Sequence, residues 1–186
     1  MTSGSTPQTN GHFIKDLGPI FQVAYVEKDF REAIGRWNAL GVGPFFVIER
    51  VPVPNIYKGQ EREATLTLAF SYWGDMQVEI IQQYDEGPSV YRDWMDGSQA
   101  GIHHVCILVD DMAGIPERCA REGLSVEQEM KTASAHVIYA RMHEGASHYV
   151  EFAQYAPGTG PLFDRIRDVC ANWDGSDPIR SLGDFI

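Results

Sequence analysis

An internal repeat constrains this chain more than any other feature of its sequence. Residues 21–30 read Phe-Gln-Val-Ala-Tyr-Val-Glu-Lys-Asp-Phe and align without a gap with residues 103–112, which read His-His-Val-Cys-Ile-Leu-Val-Asp-Asp-Met. Each copy later reaches Val-Glu, two apolar residues and Gln, at 78–82 and at 150–154. A repeated supersecondary unit rarely buries its sheet face alone. We therefore expect two modules that pair with each other.

The first copy has the pattern of a strand, a helix and three further strands. Asp29 is an N-cap candidate because its carboxylate can accept from the free N–H groups of the first helical turn, and Gly41 provides a stop after Leu40. The turn at Gly74-Asp75 separates the last two strands. The predicted strands are Ile20 to Val26, Pro44 to Val51, Ala64 to Tyr72 and Met76 to Gln82.

The second copy repeats this order. Asp110 or Asp111 is the expected N-cap, and the helix is expected to reach about Glu122, with Gly123 as the stop. Glu144-Gly145 is the expected turn before the last strand. The predicted strands are Ile102 to Val109, Ser125 to Met130, His136 to Met142 and His148 to Gln154. Both copies are thus βαβββ units.

These patterns divide the chain into three parts. Residues 1–11 are expected to form a flexible tail, and residues 12–155 a domain of two modules. The modules span about 18–84 and 101–155, and a linker at 85–100 contains a possible helical turn at 90–95. Residues 156–186 are expected to hold a helix from Leu162 to about Ala171 and a polar tail that covers a sheet edge or a neighbouring subunit.

The charge balance and the cysteines narrow the class of protein. The chain has 15 Lys and Arg against 26 Asp and Glu, a formal net charge of -11, which repels phosphate backbones and anionic lipids. Cys106, Cys119 and Cys170 are odd in number and lack CxxC spacing, as in a reduced cytoplasmic protein. The start of the chain has neither a basic region nor an apolar core. We expect no nucleic acid or membrane partner.

The repeat also places possible metal ligands at equivalent positions. Gln22 falls opposite His104, and Glu79 falls opposite Glu151. A carboxylate between apolar strand residues needs a partner, because burying an unpaired charge costs several kcal/mol or more. Each Glu could instead face solvent or meet an arginine, Arg50 or Arg141.

Taken together, the four side chains form an oxygen-rich set. One imidazole, one amide carbonyl and two carboxylates suit Zn, Mg, Mn, Co or Ni in a site that leaves positions open. Such a site is suited to Lewis-acid catalysis, in which the metal polarises a carbonyl while a carboxylate moves a proton.

The same residues resemble a known family. The paired βαβββ modules, the stretch at 101–112 and Val150-Glu151-Phe152 are similar to the vicinal oxygen chelate superfamily over about residues 18–155. This superfamily includes glyoxalase I, methylmalonyl-CoA epimerase, extradiol dioxygenases and bleomycin-resistance proteins. The resemblance implies an α+β fold in which the paired modules form a curved, incompletely closed mixed sheet around a metal cavity.

The resemblance also implies a ligand set. The metal positions of the family fall on Gln22, Glu79, His104 and Glu151, a set that looks like eukaryotic-type glyoxalase I. Ser89-Val90-Tyr91, by contrast, looks closer to the methylmalonyl-CoA epimerase branch, so the substrate stays open. A ring-cleaving dioxygenase would need two histidines at these positions.

His103 precedes His104 directly in the predicted strand. Because side chains alternate across a strand, we expect His103 to point away from His104, in a structural or solvent-facing position. Only one imidazole is therefore expected at the site.

The resemblance implies a metal-dependent isomerase, epimerase or lyase with one divalent ion. Glu151 is the first choice for the base that moves the proton, and Glu79 the second. The substrate is expected to be small and apolar or a thioester, in a pocket with aromatic walls. The candidates for these walls, for which plain core packing is the alternative, are Phe45, Phe46, Phe70, Tyr72 and Trp73.

Two matters stay open in the sequence. A metal-free binding protein of the same fold is the alternative function. A homodimer is expected, with the modules paired either within one chain or across the dimer.

Overall fold

The structure is a computed structural model that describes residues 13–97, 101–141 and 148–185. Its first half contains α1 (Phe13–Leu17), β1 (Ile20–Val26), α2 (Phe30–Ala39), β2 (Phe45–Tyr57), β3 (Gln60–Trp73), β4 (Met76–Gln83) and α3 (Val90–Asp96). Its second half contains β5 (His104–Leu108), α4 (Ile115–Arg121), β6 (Ser125–Lys131), β7 (Ala135–Arg141), β8 (Tyr149–Tyr155), α5 (Thr159–Ala171) and β9 (Ile179–Ser181). The predicted βαβββ order is confirmed in both modules.

The helix of the first module begins and ends as its sequence predicts. Asp29 accepts hydrogen bonds from the backbone N–H groups of Arg31 and Glu32, and Gly41 follows the C-cap Leu40 with a φ of 84°. In the second module, the predicted caps Asp110 and Asp111 are wrong.

The helix of the second module, α4, instead starts at Ile115, after Gly114, whose φ is 76°. The side chain of Asp111 accepts from the backbone N–H of Ala113 and so stabilises a turn before the helix. Pro116 lies in the first helical turn, where its missing N–H has no cost.

The strands β2 and β3 are longer than their sequences predict. They form a hairpin whose turn contains Lys58 and Gly59, both with positive φ. β2 continues through Pro52 and Pro54 to Tyr57 rather than ending at Val51. Over its prolines β2 pairs with β3 only, and a strand with one partner tolerates proline.

This extension of β2 closes the sheet. The strands follow the order β3-β4-β1-β5-β8-β7-β6-β2, and β2 pairs again with β3. The final contact joins Ile56 to Glu129 and Tyr57 to Gln128 at the end of β2. The expectation of an incompletely closed sheet is therefore wrong: the eight strands form a barrel, because β2 is long enough to reach β6. The seam between the modules, where β1 pairs with β5, lies within one chain.

Helices cover the outside of the barrel. Outward residues of β1, such as Val23 and Tyr25, pack with α2, and α1 and α4 cover the second module in the same way. α5, by contrast, packs Ile166 and Phe163 against Phe46 and Phe70 on the inner face of the barrel. The strand β9 pairs in parallel with Phe45–Val47, so the C-terminal segment covers a sheet edge, one of the two roles predicted for it.

Two predicted features lie outside the described residues: the flexible tail at 1–11 and the turn at Glu144-Gly145. Within the described ranges, no helix is both long and apolar enough to span a bilayer.

Candidate metal centre

The candidate metal ligands come from two neighbouring rows of side chains inside the barrel. The rows cross the strands β4, β1, β5 and β8 in that order, and each row alternates a ligand candidate with another residue. The first row consists of Gln77, Gln22, Cys106 and Glu151, and the second of Glu79, Ala24, His104 and Tyr149. The small side chains of Ala24 and Cys106 lie between the ligand candidates and leave space for them. The pseudo-twofold repeat thus brings all four candidates to the seam.

Distances show how closely the four side chains approach. From Nε2 of His104, Oε2 of Glu151 lies at 3.0 Å, Oε1 of Gln22 at 3.3 Å and Oε2 of Glu79 at 3.4 Å. The ligand atoms of Glu79, His104 and Glu151 all lie within 4.8 Å of one another. All four residues are buried.

A chain of amides fixes the orientation of Gln22. Its Nε2 donates to Oε1 of Gln77 at 2.7 Å, and Nε2 of Gln77 donates to the hydroxyl of Tyr72 at 2.9 Å. Because the Gln22 amide N–H is used in this way, its carbonyl oxygen faces the site. A carbonyl oxygen is the end of an amide that binds a cation.

His103 fixes His104 from the opposite side. Its Nδ1 lies 2.9 Å from Nδ1 of His104, and its Nε2 lies 3.3 Å from the carbonyl oxygen of Val90. A carbonyl can only accept, so the proton of His103 is on Nε2, and Nδ1 accepts from Nδ1–H of His104. This tautomer directs Nε2 of His104 at the other three ligand candidates.

The two histidines have opposite charge preferences. Burial and the charge of His104 lower the pKa of His103 well below its ordinary value, so His103 is neutral. Burial opposes charge on His104 as well, but the carboxylates of Glu151 and Glu79 outweigh it and raise its pKa to about 9. Without a metal, Nε2 of His104 therefore carries a proton below about pH 9.

The two carboxylates also differ. Burial raises the pKa of Glu79 above its ordinary value. Burial acts in the same direction on Glu151, but His104 and hydrogen bonds from Tyr139 and Cys106 outweigh it and lower the pKa of that carboxyl. The Cys106 thiol lies 3.2 Å from Oε1 of Glu151. Glu151 is thus the more firmly held and more fully ionised of the pair.

The geometry of these donors fits one divalent ion. Two ligands bound to the same ion at about 2.1 Å lie about 3.0–3.4 Å apart, for octahedral and tetrahedral angles respectively. The separations from Nε2 of His104, 3.0–3.4 Å, fall in this range. Two carboxylates would also balance the charge of the ion in a buried place. The residues present therefore fit one divalent ion, which Glu79, His104 and Glu151 would hold, with the carbonyl oxygen of Gln22 beside them.

A family comparison agrees with this architecture. The model of the Glyoxalase/Bleomycin resistance protein/Dioxygenase superfamily matches residues 21–140, more than half of the chain. The chain belongs to this superfamily. No curated protein sequence matches it.

Solved structures of low sequence identity align with most of this chain. Methylmalonyl-CoA epimerase from Mycobacterium tuberculosis aligns with a TM-score of 0.52 at 18% identity, over 76% of this chain and 91% of that one. A Streptomyces coelicolor methylmalonyl-CoA epimerase variant in complex with 2-nitronate-propionyl-CoA aligns with a TM-score of 0.48 at 13% identity, over 75% and 95%. At 18% identity the first likeness shows the fold alone.

In this superfamily member, the donor set borders a cavity of about 320 Å³ inside the barrel. Gln22, Glu79 and Glu151 reach its wall, whereas His104 lies behind them. Most of the remaining wall is apolar and comes from strands of both modules and from Phe163 of α5. The volume is at the lower end of the range of about 300–1,000 Å³ that is typical of small-molecule sites.

The five predicted pocket aromatics are not together at this cavity. Phe70 lines it, as predicted. Phe45 packs under α2, and Phe46 packs against α5 and Phe185. Tyr72 accepts from Gln77, and Trp73 is 67% exposed on the outer surface. Contrary to the expectation, the residues that line this cavity do not include Phe45, Phe46, Tyr72 or Trp73.

The wall of the cavity contains aromatic residues that were not predicted from the sequence. Phe21, Tyr91, Tyr139, Tyr155 and Phe163 line the cavity. Four of them lie outside the aligned stretches of the repeat, in the linker helix, in β7, at the end of β8 and in α5. Phe21 begins the first copy, but it lies at an irregularity of β1 next to Gln22, where strand alternation is not a guide. Alternation along β8, in which Tyr155 shares a face with Glu151, is the one signal that could have found a member of this group.

His103 and Gln77 are further residues whose role was missed. His103 does not face solvent; it is fully buried among the rings of Tyr91, Trp94 and Tyr149, which confirms the structural alternative. It precedes β5, where strand alternation does not apply. Gln77 lies two residues before Glu79, and its shared face with Glu79 was a usable signal.

Proposed function

We propose that this protein is a metal-dependent isomerase, epimerase or lyase that moves a proton on the carbon next to a carbonyl group. The observation that carries the proposal is the convergence of one imidazole, one amide oxygen and two carboxylates beside a largely apolar cavity. The superfamily and the epimerases among its structural neighbours support the same reaction class.

Three residues are proposed to hold the ion throughout the reaction. Gln22 offers a carbonyl that Gln77 keeps in place, His104 offers an imidazole that His103 orients, and Glu151 offers a carboxylate held by Cys106 and Tyr139. A divalent ion bound there supplies Lewis-acid polarisation of the substrate carbonyl. These supports hold the donors in place before the substrate arrives, so little reorganisation is needed.

Glu79 is proposed as the residue that takes and returns the proton. Within the described part of the chain its ion-pair contact is His104 at 3.4 Å, whereas Glu151 has His104 at 3.0 Å and two further donors. A base must give up its contacts when it accepts a proton, so the carboxylate with fewer donors loses less. This reverses the order of preference drawn from the sequence, in which Glu151 came first.

The cavity wall contributes by excluding water. An apolar surrounding strengthens the interaction between a carboxylate and an acidic C–H group and prevents loss of the reacting species to hydrolysis. Phe70 and Tyr155 lie in the same wall as Glu79 and Glu151. A substrate placed there would present its carbonyl end to the donors and its apolar end to the barrel.

Two measurements test the proposal in sequence. Metal content is measured on protein purified without chelator, and affinity for added Zn²⁺, Ni²⁺, Co²⁺ and Mn²⁺ by calorimetry. The metal-loaded protein is then incubated in D₂O with methylglyoxal plus thiols, methylmalonyl-CoA and aromatic 2-oxo compounds, and NMR follows deuterium entry next to the carbonyl. We expect uptake of one ion per chain and exchange with at least one of these compounds.

The outcomes separate the proposal from its alternative. A chain that binds none of the ions would be a metal-free binding protein of the same fold. A chain that binds one ion but exchanges no proton in any carbonyl compound would contradict the reaction class. The expected homodimer stays a prediction, which sedimentation can test on the same sample.

A further inference from the structure

We infer that the cavity selects a small molecule with an uncharged, apolar body over CoA thioesters and other polyanions. That one end of this molecule is a carbonyl group facing the metal ligands rests on the proposed function. That its body is uncharged is inferred from the apolar wall of the cavity and from the positions of the cationic side chains. Both observations are independent of the metal.

The charged residues of the cavity wall are all acidic. Among the residues that line it, Glu79 and Glu151 carry charge, and both lie at the end where the metal ligands converge. Away from that end the wall is formed by aliphatic and aromatic side chains such as Leu66, Leu68 and Val137. An apolar body would therefore meet apolar surface along most of its length.

No lysine or arginine of the chain lines this cavity. All fifteen lysines and arginines of the sequence belong to the described residues. Thr132 and Ser134 line the cavity and are exposed, so they form part of its rim and present neutral hydroxyl groups there. A CoA thioester would have to place its phosphates at or beyond this rim.

Three cationic residues are next to lining residues in the sequence, and all three are held elsewhere. Arg92 follows Tyr91, but its guanidinium pairs with Asp96 at 3.0 Å and with Glu86. Lys131 precedes Thr132, but its ammonium forms an ion pair with Glu129 at 3.0 Å. Arg50 precedes Val51, but its guanidinium lies 3.8 Å from the centre of the Tyr84 ring. None of these three side chains can turn toward a bound anion without losing its present contacts.

Electrostatics make the preference strong. A divalent ion and the two carboxylates would together be neutral, so nothing would compensate a further negative charge on the substrate body. The net charge of -11 also repels anions at long range. Placing an anion against an apolar wall without a partner is strongly unfavourable, because the charge loses its hydration.

A matched pair of ligands tests this inference. The pair is 4-methylbenzohydroxamic acid and 4-carboxybenzohydroxamic acid, which share a chelating head and differ by one negative charge at the far end. Binding to the metal-loaded protein is measured by calorimetry. We expect the methyl compound to bind at least about 30-fold more tightly, because the carboxylate has no cation to meet in the cavity.

A second pair tests the wall without any metal. Binding of 4-methylacetophenone and 4-acetylbenzoate to metal-free protein is followed by ligand-observed NMR, which detects millimolar affinities. We expect the neutral ketone to bind and the carboxylate not to bind. This metal-free experiment tests the preference for an uncharged molecule even if the protein takes up no metal. Absence of metal uptake would contradict the proposed function alone.

A charge introduced at the rim should reduce the preference. Ser134→Lys places a cation among the hydroxyls of the rim and should lower the ratio for the hydroxamate pair by at least about threefold. Ser125→Lys is the matched control, since Ser125 is exposed on β6, does not line the cavity and gives the same change in net charge. It should leave the ratio unchanged.

The results that overturn the inference are specific. Equal or tighter binding of the carboxylate in either pair would show that an unrecognised cation reaches the cavity. Failure of both neutral compounds to bind would show that the cavity does not take such molecules. An equal effect of Ser125→Lys and Ser134→Lys would assign the preference to net charge and not to the cavity.

Discussion

The two modules place their metal-ligand candidates at equivalent positions but support them in different ways. In the first module, Gln22 is a neutral amide held by a second amide, and Glu79 has few contacts. In the second, His104 is a titratable imidazole held by another imidazole, and Glu151 is held by several donors. The pseudo-symmetry therefore determines where the donors lie. The differences between the two modules determine what each donor can do.

The largest expected effect separates the two carboxylates. Glu79→Gln should reduce turnover by about 10²–10⁴-fold with little change in metal affinity, because the amide keeps an oxygen ligand but cannot take a proton. Glu151→Gln should weaken metal binding more than it slows turnover of the fully loaded protein. Steady-state rates and calorimetry on both variants show which carboxylate is the base. The opposite pattern would assign the base to Glu151.

The two ligands that the repeat aligns should differ in their contribution to metal affinity. His104→Ala should weaken Zn²⁺ binding by at least about 100-fold, and Gln22→Ala by about 10-fold, because an imidazole is a stronger ligand than an amide carbonyl. Competition with a chromophoric chelator measures both. Equal losses would show that the two modules contribute alike.

Metal affinity should depend on pH through the second module. Below about pH 9 a proton occupies Nε2 of His104, and a metal must displace it. Affinity should therefore rise about tenfold per pH unit between pH 6 and pH 8, and level off above pH 9. Calorimetry in buffers of different ionisation enthalpy should detect proton release. A flat profile would contradict the protonated His104.

The residues behind the ligands should have smaller and separate effects. His103→Phe keeps a buried ring but cannot accept from Nδ1 of His104, and Gln77→Leu cannot accept from Gln22. Each change should weaken Zn²⁺ binding by about 10-fold, at the lower end of the usual range for such partners. Chelator competition and ¹⁵N spectra of the imidazoles report the result.

The conservative control for this pair is Gln77→Glu. Its carboxylate can still accept the hydrogen bond from Gln22 at the same position. The control should retain more affinity than Gln77→Leu. If it does not, the loss comes from packing and not from orientation of the Gln22 amide.

The smallest effect is expected from a substitution that gives the second module the same residue as the first. Cys106 occupies the position of Ala24, and its thiol contacts Glu151 at 3.2 Å. Cys106→Ala should lower the free energy of unfolding by about 1–2 kcal/mol and change metal affinity less than threefold. Urea unfolding of the metal-free protein checks the first value. A large loss of metal affinity would show that Cys106 itself contributes to the site.

The parts of the fold that were predicted correctly depend on local patterns. β1 runs from Ile20 to Val26 as predicted, and Asp29 caps α2, because alternation and capping involve residues close in sequence. The helix start at Gly114 and the length of β2 were missed. Those features depend on neighbours distant in sequence: the partner of the last residues of β2 is β6.

By itself the sequence determined the pairing of two βαβββ modules and the positions of Gln22, Glu79, His104 and Glu151 on strands that meet at the seam. A repeat with strand alternation specifies which residues share a face, whatever surrounds them. The tertiary structure alone decided the closure of the barrel, the aromatic residues of the cavity wall and the contrast between the two carboxylates. Those properties come from contacts such as Tyr57 with Gln128 and Cys106 with Glu151, whose partners are distant in the sequence and cannot be paired from periodicity.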